Sequence, residues 1–467
     1  MGLWSVWWSC VERLRPAFSR SRTFLWFALA LAAACVRPDL AGVTSLVRSL
    51  GLEPACYGCL LRLFHSTGFD AERLARLWTQ SALALLHRQL WQAGGRTVFL
   101  ADGIKIPRTG RKMPAVKKLH QESESNTKPE YIFGHSCQVI ALAVRAARGC
   151  FALPLAGGIH EGVVFSNRDR RTLLDKLAAM LLALEVSTPG LLVADAYYAS
   201  AKIILPLLRA GWHLIAGVRF NAVAYLPPEP PVPGRRGRRR RYGAKVHLRT
   251  CFEEDDAFTE APSPVYGETG IALRYRALDL LWRPVGIVVR FVLVAHPTRG
   301  RKILLSTDRS LPPLTVIQTY GIRFKIEVSF KQAIHTLGTY AYHFWMSIMK
   351  PRPRRSGNQH LHMESEHYRN AVRRKLRAYH AHIQLGIVAQ GLLQALAVLE
   401  PAAVWRHYGS WLRTIRIGVP PSERVVALAL RNTLPQFLAD TARTAILAKF
   451  IRKRIDPGRA EGLKLAS

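Results

Sequence analysis

Two aspartates stand at the ends of predicted strands, where their carboxylates could act together. Asp102 follows the strand candidate Arg96–Ala101 (RTVFLA), and Asp195 follows the short apolar strand Leu191–Ala194 (LLVA). Carboxylates that meet at one sheet edge repel each other unless a cation lies between them. Hard oxygen ligands suit Mg²⁺ or Mn²⁺, and two such ions about 3.5–4 Å apart could bind the attacking and leaving oxygens of a phosphodiester. The pattern predicts a metal-dependent phosphodiester site.

A third acid is expected from a later segment. Four of its side chains recur every three or four residues: Tyr320, Arg323, Glu327 and Lys331. On a helix they would share one face, which carries one acid, two cations and a phenol. The alternative interpretation is an exposed face held by ion pairs between these charges. Taken with the two aspartates, the segment predicts Glu327 as the third metal ligand.

The elements that must position these acids follow the order β-β-β-α-β-α-β between residues 96 and 218. Further strands are predicted at Cys137–Arg145, Cys150–Leu155 and Trp212–Val218, and helices at Asp169–Leu184 and Ser200–Ala210. This is the chain order of an RNase H-like sheet, in which a three-strand meander precedes strands separated by crossover helices. The strands before Asp102 and Asp195 are neighbours in that topology. We therefore predict an α/β fold with an RNase H-like mixed sheet flanked by helices.

Five regions are expected along the chain. They are a helical N-terminal region (1–92) that is a candidate for DNA-end binding, the first part of the RNase H-like catalytic core (93–218), a β-rich insertion (219–311), a core helix carrying the last acid (312–350), and a helical, basic C-terminal region (351–467). The helix that begins near Pro313 is expected to continue past Met349. The helices on either side of Gly51 could form a helix-turn-helix or an ordinary packed pair.

The charge balance indicates a polyanionic partner. The chain has 467 residues, with 67 Lys and Arg against 31 Asp and Glu, for a net charge of +36. A protein with this much positive charge repels itself, which makes DNA or RNA the first candidate partner, ahead of a solvated surface or an anionic membrane. The basic block Arg235–Arg241, with Arg238 and Arg239 at its centre, is predicted to contact phosphates, with an inert solvated run as the alternative. Seven scattered cysteines imply no disulfide framework and fit a reducing compartment, so we expect a cytoplasmic, nucleoid-associated protein.

The apolar run from Phe24 to Val36 imitates a signal peptide, because arginines precede it and small residues stand near its end. It is too short to span a bilayer. The stretch before it is long for a signal and contains three tryptophans and a glutamate. We predict a buried N-terminal helix and no membrane partner, with secretion as the alternative.

The acidic segments resemble those of bacterial insertion-sequence transposases of the DDE superfamily, in the branch with a β-rich insertion before the last acid. That branch carries a Tyr-x2-Arg-x3-Glu signature, which Tyr320, Arg323 and Glu327 match. The stretches 101–113 and 195–198 are similar to its first-acid and second-acid regions. The branch also has a Lys seven residues after the Glu, but this chain has Ile334 there, which leaves Lys331 or His335 as the candidate phosphate contact. The resemblance covers about residues 95–345.

The resemblance implies a transposase that cleaves DNA at transposon ends and joins them to target DNA. It implies a pair of Mg²⁺ or Mn²⁺ ions held by the three acids, with Arg323 and Lys331 steadying phosphate charge and Tyr320 positioning a phosphate or a base. A homodimer on paired DNA ends is expected. Trp282 of the insertion is a candidate for stacking a flipped base, with a core tryptophan as the alternative. The alternative functions are an RNase H-like repair or processing nuclease and a non-catalytic DNA-binding remnant.

Overall fold

The computed structural model describes residues 2–121, 129–229, 240–265, 267–409, 418–439 and 445–459. It is a mixed α/β fold with a large mixed sheet flanked by helices, as predicted. The strands are β1 (Gln92–Ala93), β2 (Arg96–Pro107), β3 (Lys117–His120), β4 (Tyr131–Ala146), β5 (Gly149–Ile159), β6 (Val163–Val164), β7 (Leu191–Ala194), β8 (His213–Val218), β9 (Val223–Tyr225), β10 (Lys245–His247), β11 (Thr259–Pro262), β12 (Ala272–Trp282), β13 (Ile287–His296), β14 (Gly300–Ser306) and β15 (Gln359–His360).

The α-helices are α1 (Leu3–Glu12), α2 (Ser21–Val36), α3 (Gly42–Ser49), α4 (Cys56–His65), α5 (Ala71–Leu85), α6 (Leu173–Leu182), α7 (Ala201–Arg209), α8 (Pro313–Gly321), α9 (Lys325–Gln332), α10 (Glu366–Leu399), α11 (Pro401–Tyr408), α12 (Glu423–Asn432), α13 (Leu434–Ala439) and α14 (Ala445–Arg452). The chain forms two compact units. The sheet unit comprises Leu90–Asp102 and Thr172–Ile326, and the helical unit comprises Met1–Gln89, Gly103–Arg171 and Glu327–Ser467.

The sheet unit is built around strands that are buried on both faces. Its strand order is β10-β9-β12-β13-β14-β8-β7-β2. β7 runs parallel to both β2 and β8, and all four residues of β7 are buried, as are Val98–Ala101 of β2. Such parallel strands read as continuous apolar runs, which explains why both were recognisable in the sequence. The predicted neighbourhood of the strands that precede the two aspartates is confirmed.

The β-rich segment after residue 218 continues this same sheet. β14 pairs antiparallel with β8, with Ile303 opposite Val218, and β13 and β12 follow in turn. Extending an existing sheet satisfies the backbone groups of β8, whose outer edge would otherwise be unpaired.

A polar network ties two turns of the sheet unit together. The Glu268 carboxylate is 8% exposed, pairs with His296 at 3.0 Å and Arg299 at 2.6 Å, and accepts a hydrogen bond from the Ser263 hydroxyl. Burial raises the pKa of Glu268, but these three partners outweigh it and hold the pKa below its usual value.

Strand β2 is longer than predicted, because it continues from Asp102 to Pro107 and does not end at the aspartate. Its later residues belong to the helical unit, where β4 is its neighbour. The carbonyl of Ile106 lies so close to Gly134 of β4 that a Cβ there would come within 2.0 Å of it, and Arg108 donates its N–H to the Phe133 carbonyl at 2.8 Å. A second partner strand therefore keeps the backbone extended.

The helical unit packs around α10, whose second half is buried almost throughout. Gly391 of α10 lies against Trp78 of α5, where a Cβ would come within 2.3 Å of the indole ring. Gln384 of α10 donates to the Leu155 carbonyl of β5 at 2.8 Å. The predicted buried N-terminal helix is confirmed as α2, of which nearly every residue from Phe24 to Val36 is buried. Among the described residues, α10 alone is long and apolar enough to cross a membrane, and 89% of its apolar window is buried in the protein.

The single helix predicted to run from about Pro313 past Met349 is wrong. The structure has α8, a turn at residues 322–324, α9, and a π-helical turn that ends at Leu337. Gly338 then adopts a left-handed conformation with φ of 57°, and a Cβ there would come within 2.6 Å of the Arg37 guanidinium. A glycine with positive φ is the usual stop for a helix, and here the close approach of Arg37 also demands it.

Candidate active site

Asp102 lies on β2, and Asp195 directly follows β7, which is the parallel neighbour of β2. Leu100 of β2 pairs with Val193 of β7. Asp102 follows Leu100 by two residues on β2, and Asp195 comes directly after Ala194, the last residue of β7. The backbone of Asp195 is still extended, with φ of −78° and ψ of −177°. Both carboxylates raise the pKa of Tyr320, so the sheet unit brings the two aspartates into one cluster with this phenol.

Each aspartate has a local partner that orients it. The Asp195 Oδ1 atom accepts a hydrogen bond from the Tyr197 N–H at 2.9 Å and so caps a short helical turn, residues 196–198. The Asp102 Oδ2 atom lies 3.1 Å from Nη1 of Arg323, and these two side chains are 16% and 19% exposed. Arg323 was expected to contact phosphate, and in the structure its charge neutralises Asp102.

Tyr320 completes this cluster from the end of α8. A Cβ on Gly217 of β8 would come within 2.8 Å of the Tyr320 hydroxyl, so this glycine makes room for the phenol. Burial raises the pKa of Tyr320, Arg323 lowers it, and the negative charges of Asp195 and Asp102 raise it again, for a net increase. The phenol therefore keeps its proton at neutral pH and can donate a hydrogen bond.

Lys302 is a cation of this cluster that the sequence did not reveal. Its Nζ lies 5.2 Å from the centre of the Tyr320 ring. It stands on β14, within the β-rich segment, and only the pairing of β14 with β8 brings it near the cluster. No local sequence pattern signals such a position.

The donors offered by the sheet unit are carboxylate oxygens, which fit Mg²⁺ or Mn²⁺ and not the softer metals. A carboxylate has about four lone-pair sites, so a bond to Arg323 is compatible with metal ligation by the same group. In the ranges that the structure describes, no three His, Cys, Asp or Glu side chains are gathered closely enough to share a metal ion. The fit therefore rests on the two aspartates.

Glu327 and Lys331 belong to the helical unit. Both are exposed on α9, Glu327 in its first turn and Lys331 in its last. Tyr320 and Arg323 precede α9, so the predicted common face of one regular helix is interrupted at residues 322–324. Two backbone hydrogen bonds between residues three apart span this interruption. The Arg323 N–H donates to the Tyr320 carbonyl, and the Ile326 N–H donates to the Arg323 carbonyl.

The remaining predicted contacts have different outcomes. Trp282 is 6% exposed on β12, and its ring meets the edge of Phe291 at 6.4 Å between centroids. This burial favours the alternative of a core tryptophan over a base-stacking surface. Arg238 and Arg239 lie outside the described residues.

The fold defines an RNase H-like α/β protein with a large mixed sheet flanked by helices, in which Asp102 and Asp195 are the candidate oxygen donors. The profile of the family described as "DDE superfamily endonuclease" matches residues 13–259, more than half of the chain. The chain belongs to this family. The matched region includes Asp102 and Asp195 and ends before the Tyr320–Glu327 segment.

Comparison with curated proteins finds no match. Among solved structures, the chain is similar to the piggyBac transposase in a synaptic complex with hairpin DNA. The identity is 11%, the TM-score is 0.34, and the match covers 93% of this chain and 76% of that one.

Proposed function

We propose that this protein is a transposase that cleaves DNA at transposon ends and transfers the cut strand into target DNA. The observation that supports the proposal is a cluster in which Arg323 pairs with Asp102, and Asp102 and Asp195 both act on Tyr320, in a chain of the DDE endonuclease family. Clustered carboxylates repel each other, and that repulsion makes such a pair a cation site.

Asp102, Asp195 and Glu327 would hold the divalent ions in this proposal. Bound Mg²⁺ or Mn²⁺, in a pair, would supply charge stabilisation to both the attacking and the leaving oxygen of a phosphodiester. Glu327 follows Arg323 by four residues, and its exposure on α9 leaves its carboxylate accessible.

The chain's own residues would then steady the phosphate. Arg323 can exchange its bond with Asp102 for one with a phosphate oxygen, because a guanidinium carries five N–H donors in a planar fork. Tyr320, protonated at neutral pH, can donate to a second oxygen. Lys302 adds positive charge behind the phenol, and Lys331 adds it on α9.

The partner in this proposal is double-stranded DNA, both transposon ends and target, bound by a homodimer in the cytoplasm. The net charge of +36 supports a polyanionic partner. No membrane partner is proposed, since the apolar runs of α2 and α10 are already covered by protein.

A cleavage and joining assay tests the function. The purified protein is incubated with duplex DNA from the flanks of its own gene, and with an unrelated duplex, with and without Mg²⁺. We expect Mg²⁺-dependent nicks at the gene's flanking ends and joined products with target DNA. Cleavage without joining would identify a processing nuclease, and no cleavage under any condition would identify a non-catalytic protein.

Single substitutions assign the acids. Asp102→Asn, Asp195→Asn and Glu327→Gln should each abolish cleavage, whereas Asp256→Asn, an exposed aspartate elsewhere in the sheet unit, should not. Calorimetric titration with Mn²⁺ provides a readout apart from activity, and the three site variants should lose bound ion. Wild-type cleavage by Asp195→Asn would remove the proposed site.

A further inference from the structure

The first turns of α10 carry a basic face that the candidate active site does not use. Five cations fall between residues 369 and 377, and no acidic residue occurs from there until Glu400. The spacing of Arg373, Arg374 and Arg377 places them on one side of the helix, and all three are exposed. Ala371 and Val372 are buried on the other side of the helix, so packing fixes which way the arginines face.

These arginines line an open groove of about 580 Å³ within the helical unit. The other lining residues are Phe165, Asn370, Leu376 and His380. No carboxylate lines it, and none of the three arginines has an acidic partner among the described residues. Like charges one helical turn apart destabilise a helix, and exposed helix faces of proteins usually interleave acids with their cations. The groove is therefore built for an anionic ligand.

Two contacts hold Arg373 in place before any ligand arrives. Its Nη1 donates to the Asn370 Oδ1 atom at 2.8 Å, and its guanidinium lies 4.8 Å from the centre of the Phe165 ring. One of five N–H groups is used in the first contact. An arginine oriented in this way loses less rotamer freedom when it binds a phosphate.

At the floor of the groove, His380 is a neutral side chain. Burial lowers its pKa, and its Nε2 accepts a hydrogen bond from the Ile159 N–H at 3.1 Å. The proton of the ring is then on Nδ1. The charge of the groove thus comes from the arginines alone.

We propose that this groove binds the phosphodiester backbone of duplex DNA, as a contact separate from the acidic residues. The proposal rests on the proposed transposase function, which makes DNA the polyanion that this protein meets. The lining offers guanidinium groups and few groups that could read base edges, so binding there should be independent of sequence. An anionic membrane is the competing partner.

The test uses the full chain with Arg373, Arg374 and Arg377 all changed to Gln. The matched control changes Arg13, Arg20 and Arg22, three exposed arginines of the same unit, to Gln, for the same loss of charge. Dissociation constants are measured by fluorescence anisotropy for a transposon-end duplex and an unrelated duplex, from 50 to 300 mM salt. Each lost phosphate contact lowers the slope of log K against log salt by roughly 0.9.

We expect the groove variant to lose about 2 to 3 units of slope on both duplexes, and the control to change by less than about 1 unit. Cleavage at low salt and saturating DNA should continue, since the acids are untouched. Changing the same three arginines to Lys keeps the charge of the groove. If the Gln variant is folded and its loss reflects charge, the Lys variant should have the wild-type salt slope. Folding is checked by circular dichroism.

Four outcomes would overturn the proposal. They are equal losses in the groove and control variants, loss on only one duplex, a salt slope unchanged from wild type, and loss of binding to phosphatidylserine vesicles with DNA binding intact. An unchanged salt slope together with wild-type cleavage would refute the proposed DNA contact at the groove and leave the transposase proposal in place. Failure of the wild-type protein to bind either duplex would remove the transposase proposal with it.

Discussion

Replacing Arg323 by Gln separates two roles of this side chain, because it should tighten metal binding while it weakens catalysis. Nη1 of Arg323 lies 3.1 Å from Asp102 Oδ2, and both side chains are less than one-fifth exposed. A hydrogen bond between charged partners is worth about 1.5–3 kcal/mol. Without added divalent ions, Arg323→Gln removes this charged partner of Asp102 and should lower stability by about that amount. For a unit of this size, the melting temperature would fall by roughly 3–10 °C.

Metal affinity should move in the opposite direction. An ion that binds Asp102 competes with the guanidinium, so removing Arg323 removes that competition. Since about 1.4 kcal/mol corresponds to a factor of ten, we expect Mn²⁺ to bind the variant roughly tenfold or more tightly in calorimetric titration. Added Mn²⁺ should therefore recover much of the lost melting temperature. Cleavage by Arg323→Gln should still fall, because the DNA phosphate has lost the guanidinium proposed to bind it.

A matched substitution serves as the control. Arg290 makes a two-bond contact with Asp279 in the same unit, at 2.8 and 3.0 Å. Arg290→Gln should lower stability without changing Mn²⁺ affinity. If Arg323→Gln binds Mn²⁺ no more tightly than the wild type does, Arg323 does not compete with the ion for Asp102.

Three further substitutions test other parts of the sheet unit. Gly217→Ala should displace the Tyr320 hydroxyl, lower stability by about 1–3 kcal/mol and reduce cleavage. Gly357→Ala, a control with open space around the added Cβ, should change neither stability nor cleavage. Full activity of Gly217→Ala would contradict the close approach of the phenol to Gly217. The folded-state pKa of Glu268 is depressed, so its stabilisation is present above the unfolded value near 4.5 and is lost as pH falls through the folded pKa. Glu268→Gln should thus lower stability at pH 7 by about 1–3 kcal/mol and flatten the acid limb of a melting-temperature profile; an unchanged limb would count against the network. Because Trp282 is a core residue, Trp282→Ala should lower the free energy of unfolding by about 3–5 kcal/mol, measured by denaturant unfolding. Loss of DNA binding without loss of stability would instead support the base-stacking interpretation.

Elements with strong local patterns were predicted with nearly their true bounds. The strand Leu191–Ala194 and the helix after Ser200 are examples. Buried parallel strands are short apolar runs between polar turns, and capping residues mark helix starts. For the same reason, the apolar run at Phe24–Val36 was recognisable as a buried helix. Each of these features depends on residues that are close together in the sequence.

The errors fall where distant contacts decide the outcome. β2 runs past Asp102 because Gly134 and Phe133 of β4 give its backbone a second partner. The helix after Glu327 stops at Gly338, where the Arg37 guanidinium packs. Neither partner is near in sequence, so local periodicity overestimated the helix and underestimated the strand.

The sequence by itself determined which chemical groups are present: two aspartates after apolar runs, a Tyr-x2-Arg-x3-Glu segment, and a large excess of cations. Residue type and spacing are local properties, and they suffice to indicate oxygen ligands and a polyanionic partner. Only the tertiary structure decided that Arg323 neutralises Asp102, that Gly217 makes room for Tyr320, and that α10 presents an acid-free arginine face. Those relations depend on strand register and helix packing, which set distances between residues far apart in the chain.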